Sequence, residues 1–164
     1  MSAARDVLAV DLDGTLIASD MLHESFWATL GRDRAQVLKA CGALLTGGKA
    51  ALKAALAGAK VDVARLPYKT EVLDEIRRRR ETGAHVVLAT ASDQALAQAV
   101  ADHLGLFDEV LASDGATNLK GPAKAEALTG AYGDKGFAYA GDATADLPVW
   151  AVAREAIAVD VTPA

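Results

Sequence analysis

Five short apolar runs punctuate the chain: VLAVD (7–11), HVVLAT (85–90), EVLAS (109–113), FAYAGD (137–142) and AIAVD (156–160). Each is almost continuously apolar and ends on small or polar residues. A strand with one wet face alternates apolar and polar side chains. Near-continuous apolar runs instead suit strands covered on both faces, as in a parallel sheet flanked by helices. Helical patterns lie between them. TEVLDEIRRRRETG sets Val72, Leu73 and Ile76 at helical spacing and stops at Gly83, while SDQALAQAVADHLG starts at a Ser-Asp cap and stops at Gly105. AKAEAL and ATADLPVWAVARE supply two later helices. Strands alternating with helices imply right-handed crossovers and a doubly wound α/β sheet.

Residues 20 to 65 break this rhythm. They contain no convincing strand and read as two or three Ala/Leu-rich helices, interrupted at Gly31 and at Gly47-Gly48. That is too much helix for one crossover. The reading is a small helical cap, 20–65, inserted after the first strand of a core formed by 1–19 and 66–164. A chain of 164 residues accommodates one such domain with its insertion.

Composition excludes several classes. No apolar run approaches the ~20 residues that a membrane-crossing helix requires, and MSAARDVLAVDLDG lacks the apolar core of a signal peptide. Cys41 is the lone cysteine, so no internal disulfide or Cys-built metal site can form, as suits a reducing cytoplasm. A net charge of −5 argues against a nucleic-acid partner. The basic block Arg77-Arg78-Arg79-Arg80, near a helix end, reads as a solvated face favoured by the helix dipole.

In a doubly wound sheet, ligands bind beyond the carboxyl ends of the strands. Strand one delivers Asp11 and Asp13 to that edge, strand two Thr90 and then Ser92, and strand four Asp142, with Asp146 one helical turn later. NLKGPAK places Lys120 and Lys124 at the start of a helix just before strand four. Two carboxylates 4 Å apart repel by ~4 kcal/mol at an effective dielectric near 20. Asp11, Asp13 and Asp142 at one point therefore call for a cation, and a hard divalent ion such as Mg²⁺ beside a phosphate is the usual solution.

These residues carry a resemblance. DLDGT (11–15), the hydroxyl after strand two, the lysine before strand four and GDATAD (141–146) resemble the four motifs of the haloacid dehalogenase-like (HAD) hydrolase superfamily. The insertion after strand one resembles that superfamily's helical cap. The resemblance implies a Rossmannoid three-layer sandwich with a five-stranded parallel sheet. More narrowly, DLDGTLIASDMLHES, LPYKTEVLDEI, LATASD, HLGLFDEVLASDGATNLKG and YAGDATADLPVW look like the HAD domain found beside UbiA-type prenyltransferase domains.

What the resemblance implies is a Mg²⁺-dependent phosphomonoester hydrolase. Asp11 would be the nucleophile, forming an aspartyl-phosphate, and Asp13 the general acid and base. The carboxylates of Asp11 and Asp142 and the backbone carbonyl of Asp13 would hold Mg²⁺. Thr90 would bind a phosphoryl oxygen, Lys124 would neutralise charge, and Asp146 would orient Lys124 or a metal-bound water. Ser92 is either a helix N-cap or a second phosphate contact, and Lys120 is the alternative to Lys124. Asp20 either caps the first cap helix or contacts substrate, and His23 lies near the entrance beside it. Trp27 and Trp150 read as packing residues and Cys41 as buried and inert. The substrate would be a small phosphorylated metabolite or a lipid-linked phosphate such as a polyprenyl-linked sugar phosphate, with a functional link to a membrane prenyltransferase. Phosphotransfer to another acceptor, as in mutases of the superfamily, and a non-catalytic binding domain are the alternatives.

Overall fold

The computed structural model describes residues 6–56, 60–114 and 116–160. The first residues of the N-terminus read as lacking a signal peptide, and residues 57–59 of the predicted cap, lie outside them. The chain divides into two compact units, Ser19–Leu66 and the remainder, Met1–Ala18 with Pro67–Ala164.

The larger unit is a parallel five-stranded sheet: β1 (Val7–Val10), β2 (His85–Asp93), β3 (Glu109–Ser113), β4 (Ala138–Gly141) and β5 (Glu155–Ala158). The strand order is β3-β2-β1-β4-β5. All neighbours run parallel, with Val7 opposite His85 on one side of β1 and Leu8 opposite Ala138 on the other. The chain winds from β1 outward to β3, then crosses back to β4 on the far side of β1. The switch point therefore lies between β1 and β4, where a ligand crevice is expected.

Side chains alternate across these strands. Val7, Ala9, Val87, Ala89, Phe137 and Tyr139 form one core with Ala125 and Leu128 of α5 (Pro122–Tyr132) and Val149 of α6 (Leu147–Val152). On the other face Leu8, Val10, Val86 and Leu88 are fully buried. The connections α3 (Thr70–Glu81) and α4 (Gln94–Leu104) pack against β2. Truncating a fully buried leucine here, Leu8 or Leu128, would cost about 2–5 kcal/mol. Helix ends follow their sequence signals: Asp93 accepts from the Ala95 and Leu96 N–H groups to start α4, and Gly105 ends it at φ 62.

The smaller unit is the helical insertion after β1. It comprises α1 (Met21–Leu30) and α2 (Arg34–Leu56), which pack together. Gly31 closes α1, and α2 kinks at Gly48, whose φ of 65 and ψ of −158 are not helical.

Four expectations are corrected. Cys41 is exposed rather than buried, and Trp27 is 55% exposed rather than packed. The helix starting at ATAD is a turn, Thr144–Asp146, followed by a short α6 that ends at Val152. The arginine block is not wholly solvated either. Arg79 is 11% exposed and pairs with Glu75 at 2.7 Å, Glu155 at 2.8 Å and Asp6 at 3.6 Å, tying α3 to the sheet's amino-terminal edge.

Candidate active site

The turn after β1 is built around one glycine. Asp11 continues the strand, donating its N–H to the Ala140 carbonyl of β4 at 2.9 Å, and its own carbonyl accepts from Leu16 at 3.2 Å. Gly14 has φ +78, and a Cβ there would stand 2.2 Å from the Asp142 carboxylate. No other residue fits without moving Asp142. Thr15 then donates its hydroxyl to Asp142 Oδ1 at 3.0 Å. Lys69, at the start of α3, donates to the Gly14 carbonyl and, at 2.7 Å, to Asp160 Oδ2. The turn is thus clamped between Asp142 and Lys69.

Behind the turn lies a buried chain of hydrogen bonds. Lys124, two residues into α5 after Pro122, is 3% exposed and donates to Asp11 Oδ1 at 2.8 Å and to the Tyr139 hydroxyl at 2.8 Å. Tyr139 donates to Asp146 Oδ1 at 2.7 Å. The other oxygen of Asp146 accepts from the backbone N–H groups of Asp142 at 3.2 Å and Ala143 at 3.1 Å. Asp146, itself 3% exposed, therefore shapes the loop that presents Asp142.

Three carboxylates meet here. One oxygen from each of Asp11, Asp142 and Asp146 lies within 4.8 Å of the others. At that separation and an effective dielectric near 20, each ionised pair repels by roughly 3 kcal/mol. Lys124 supplies one positive charge, 3.7 Å from Asp146 Oδ1 in addition to its bond to Asp11. It does not balance three acids. Burial pushes the Asp11 carboxyl up to about 7 despite Lys124 beside it, with Asp146 and Asp13 adding to the rise. Burial also raises Asp142, against the opposing pull of the Thr15 hydroxyl and the Lys69 charge. A group made only of hard oxygen donors, short of positive charge, fits Mg²⁺ or a similar hard ion.

Most of the residues singled out in the sequence come to this edge. Asp11, Asp142, Asp146 and Lys124 are in one cluster. The Asp13 carboxylate accepts from the Ser92 hydroxyl at 2.7 Å, and the three carboxylates whose oxygens meet are those of Asp11, Asp142 and Asp146. Thr90 is fully buried within β2, three residues before its end, and accepts the Ser92 N–H at 3.0 Å. Ser92 is not the N-cap of α4, a place taken by Asp93. Lys120 is exposed, and it is Lys124 that reaches Asp11. Asp20 and His23 belong to the helical unit. Asp20 caps α1 by accepting from Leu22 N–H at 2.7 Å, and His23 accepts from the Trp27 indole at 2.8 Å.

Two residues were missed in the sequence. Tyr139 reads there only as an apolar member of a strand. Its place two residues before Gly141 puts it on the face that carries α5, and nothing local signals its hydroxyl. Lys69 was missed for a similar reason: its partners lie 55 and 91 residues away.

The chain has counterparts among known proteins. A family model described as haloacid dehalogenase-like hydrolase matches residues 8–150. An uncharacterized protein of Sinorhizobium fredii, y4nM, is 42% identical over 153 residues, covering 93% of this chain and 29% of that protein. The chain therefore spans less than a third of that relative's length. Among solved structures, a Bordetella pertussis protein of unknown function matches with a TM-score of 0.74 at 19% identity, over 98% of this chain and 92% of its own. A substrate-bound phosphoserine phosphatase matches with a TM-score of 0.66 at 17% identity, over 99% and 89%. At such identities the two structures show the shared fold. With the family model spanning both halves of the core and the insertion between them, the chain belongs to the haloacid dehalogenase-like hydrolase family, in its form with a helical cap after the first strand.

Proposed function

We propose that the chain is a Mg²⁺-dependent phosphomonoester hydrolase that works through an aspartyl-phosphate on Asp11. The observation that carries this reading is the buried Asp11 carboxylate at the end of β1, held by the Lys124 ammonium at 2.8 Å within the acidic group. Asp11 attacks phosphorus, the bond to the leaving oxygen breaks, and protonated Asp13 gives that oxygen its proton. Asp13, now a carboxylate, then takes a proton from water as the water oxygen attacks phosphorus. The bond to Asp11 breaks, phosphate leaves, and Asp13 is protonated again. The Ser92 hydroxyl donates to the Asp13 carboxylate at 2.7 Å and so orients it.

Lys124 offsets charge on the nucleophile and on the phosphoryl oxygens, and the Thr90 hydroxyl, with Ser92 beside it, binds the latter. Asp11, Asp142 and the backbone carbonyl of Asp13 would hold Mg²⁺, with Asp146 as the third carboxylate of the group. The ion would supply charge neutralisation that lets the anionic carboxylate approach an anionic phosphate.

For the substrate we propose a phosphorylated metabolite or a lipid-linked phosphate, selected by the cap, with Asp20 and His23 as cap contacts. The sequence resemblance to domains beside UbiA-type prenyltransferases favours a polyprenyl-linked sugar phosphate and a cytoplasmic enzyme working beside a membrane prenyltransferase. The extension of the Sinorhizobium relative beyond the matched part supports a partner domain. Among the described residues of this chain, no helix is long and apolar enough to cross a membrane.

The test is hydrolysis of an aryl phosphate with Mg²⁺ and with EDTA, then a screen of phosphorylated metabolites and lipid-linked phosphates. Mg²⁺-dependent turnover is expected, and its absence with every ester would overturn the reading.

A further inference from the structure

The reaction as written uses Lys124 and leaves the hydroxyl that holds it without a task. Tyr139 is fully buried, its ring part of the core between the sheet and α5. Its hydroxyl accepts from Lys124 Nζ and donates to Asp146 Oδ1. Lys124 and Asp146 themselves stand 3.7 Å apart, beyond hydrogen-bonding distance. Without the hydroxyl between them, a buried ammonium and a buried carboxylate would close that gap, because each would otherwise lose a partner in a dry environment. Lys124 would then be drawn away from Asp11.

We propose that Tyr139 is a positioning residue for phosphoryl transfer: its hydroxyl, inserted between Lys124 and Asp146, holds the Lys124 ammonium on Asp11 instead of on Asp146. An ammonium has three N–H donors. One is committed to Asp11 and one to Tyr139, which leaves the third for a phosphoryl oxygen. Asp146 is freed to hold the loop of Asp142 through its contacts to the Asp142 and Ala143 N–H groups. Burial and the acids nearby raise the Tyr139 phenol far above its ordinary range, so it remains a neutral donor and does not itself exchange a proton with substrate. The inference rests on the hydrolase reading and goes beyond it by naming what aims the lysine.

Tyr139→Phe isolates the hydroxyl, because it keeps the ring and the ring's contact with Lys124, whose Nζ lies 5.4 Å from the centroid. With an aryl phosphate and saturating Mg²⁺, kcat is expected to fall ~10- to 100-fold, with KM changing less than about threefold. Lys124→Met should fall further, and adding Tyr139→Phe to it should cost nothing more, since the hydroxyl acts through the lysine. Wild-type kcat in Tyr139→Phe would overturn the proposal, as would losses that multiply in the double variant. A purely structural role would lower the melting temperature and leave turnover per phosphorylatable site unchanged.

A second readout needs no turnover. In wild-type and Tyr139→Phe protein labelled with ¹⁵N-lysine, the Lys124 Nζ resonance should move and broaden in the variant. An unmoved resonance would overturn the proposal even if Lys124→Met fails to fold. An inactive wild type would defeat the hydrolase reading instead, and the resonance would still decide whether Tyr139 aims the lysine.

Discussion

Raising the pH of the metal-free protein from 5 to 8 should lower its melting temperature, and the reason lies at Asp11. Its carboxyl, near 3.8 in an unfolded chain, is pushed up to about 7 by burial. The folded state thus binds this proton more tightly than the unfolded state does. The stability this contributes is complete below the unfolded value and is lost as pH climbs through the folded one. Each tenfold gain in proton affinity is equivalent to ~1.4 kcal/mol, and about two such steps lie between pH 5 and the folded value, so Asp11 contributes ~3 kcal/mol at most across this range. For a chain of this size each kcal/mol moves the melting point by roughly 2–4 °C, so a fall on the order of 10 °C is the ceiling. Asp142, raised by the same burial though only partly buried, adds in the same direction. Glu75, Asp108 and Asp114 are held low by hydrogen bonds to arginines or backbone N–H groups. Their contributions are lost only in more acid solution, below this window. Asp11→Asn, which removes this carboxyl alone, is the deciding comparison. The assay is calorimetry in EDTA and in Mg²⁺ across this range. Wild type should show the fall in EDTA, Asp11→Asn should show much less of it, and the gain from Mg²⁺ should grow with pH as the acids ionise. An equal fall in both proteins, or no fall in wild type, would refute the reasoning.

Asp13→Asn should let a phosphoenzyme form from an activated aryl ester and then persist, which acid quench and mass spectrometry would detect; equal loss of both steps would remove Asp13 from acid–base work. Gly14→Ala should lower kcat/KM more than about tenfold and raise the Mg²⁺ requirement, because the new Cβ would occupy the place of the Asp142 carboxylate 2.2 Å away. A Mg²⁺ titration of activity at wild-type levels would contradict that. Asp20→Ala should lose ~1 kcal/mol as a helix cap in a melting curve. If Asp20 and His23 also read the leaving group, Asp20→Ala and His23→Ala should raise KM for the natural substrate and spare an aryl phosphate. Parallel losses on both would leave them structural.

The parts of the fold that were legible in sequence are those set by local rules. Runs apolar on both faces gave five parallel strands, and Gly31 and Gly105 ended their helices where the pattern stopped. The acids were legible because a strand's end in a doubly wound sheet is a fixed place. What stayed hidden depended on packing. Lys120 precedes α5 and is exposed, whereas Lys124 lies in the first turn of α5, two residues after Pro122, and is carried inward. Ser92 and Asp93 were equally good caps on paper, and the chain uses Asp93 for the helix and Ser92 for Asp13. Cys41 and Trp27 looked buried because the insertion is rich in Ala and Leu, which weakens the contrast between its faces. Asp146, grouped in sequence with Asp11, Asp13 and Asp142, has a carboxylate that meets those of Asp11 and Asp142.

The central claim is that Asp11 is the residue that takes the phosphoryl group. The most direct measurement is rapid acid quench of the protein with an activated aryl phosphate and Mg²⁺, followed by peptide mapping by mass spectrometry. One phosphoryl group on the peptide containing Asp11, appearing and decaying at rates that account for turnover and absent in Asp11→Asn, is the expected result. Turnover with no phosphoenzyme on that peptide, or full turnover by Asp11→Asn, would contradict it.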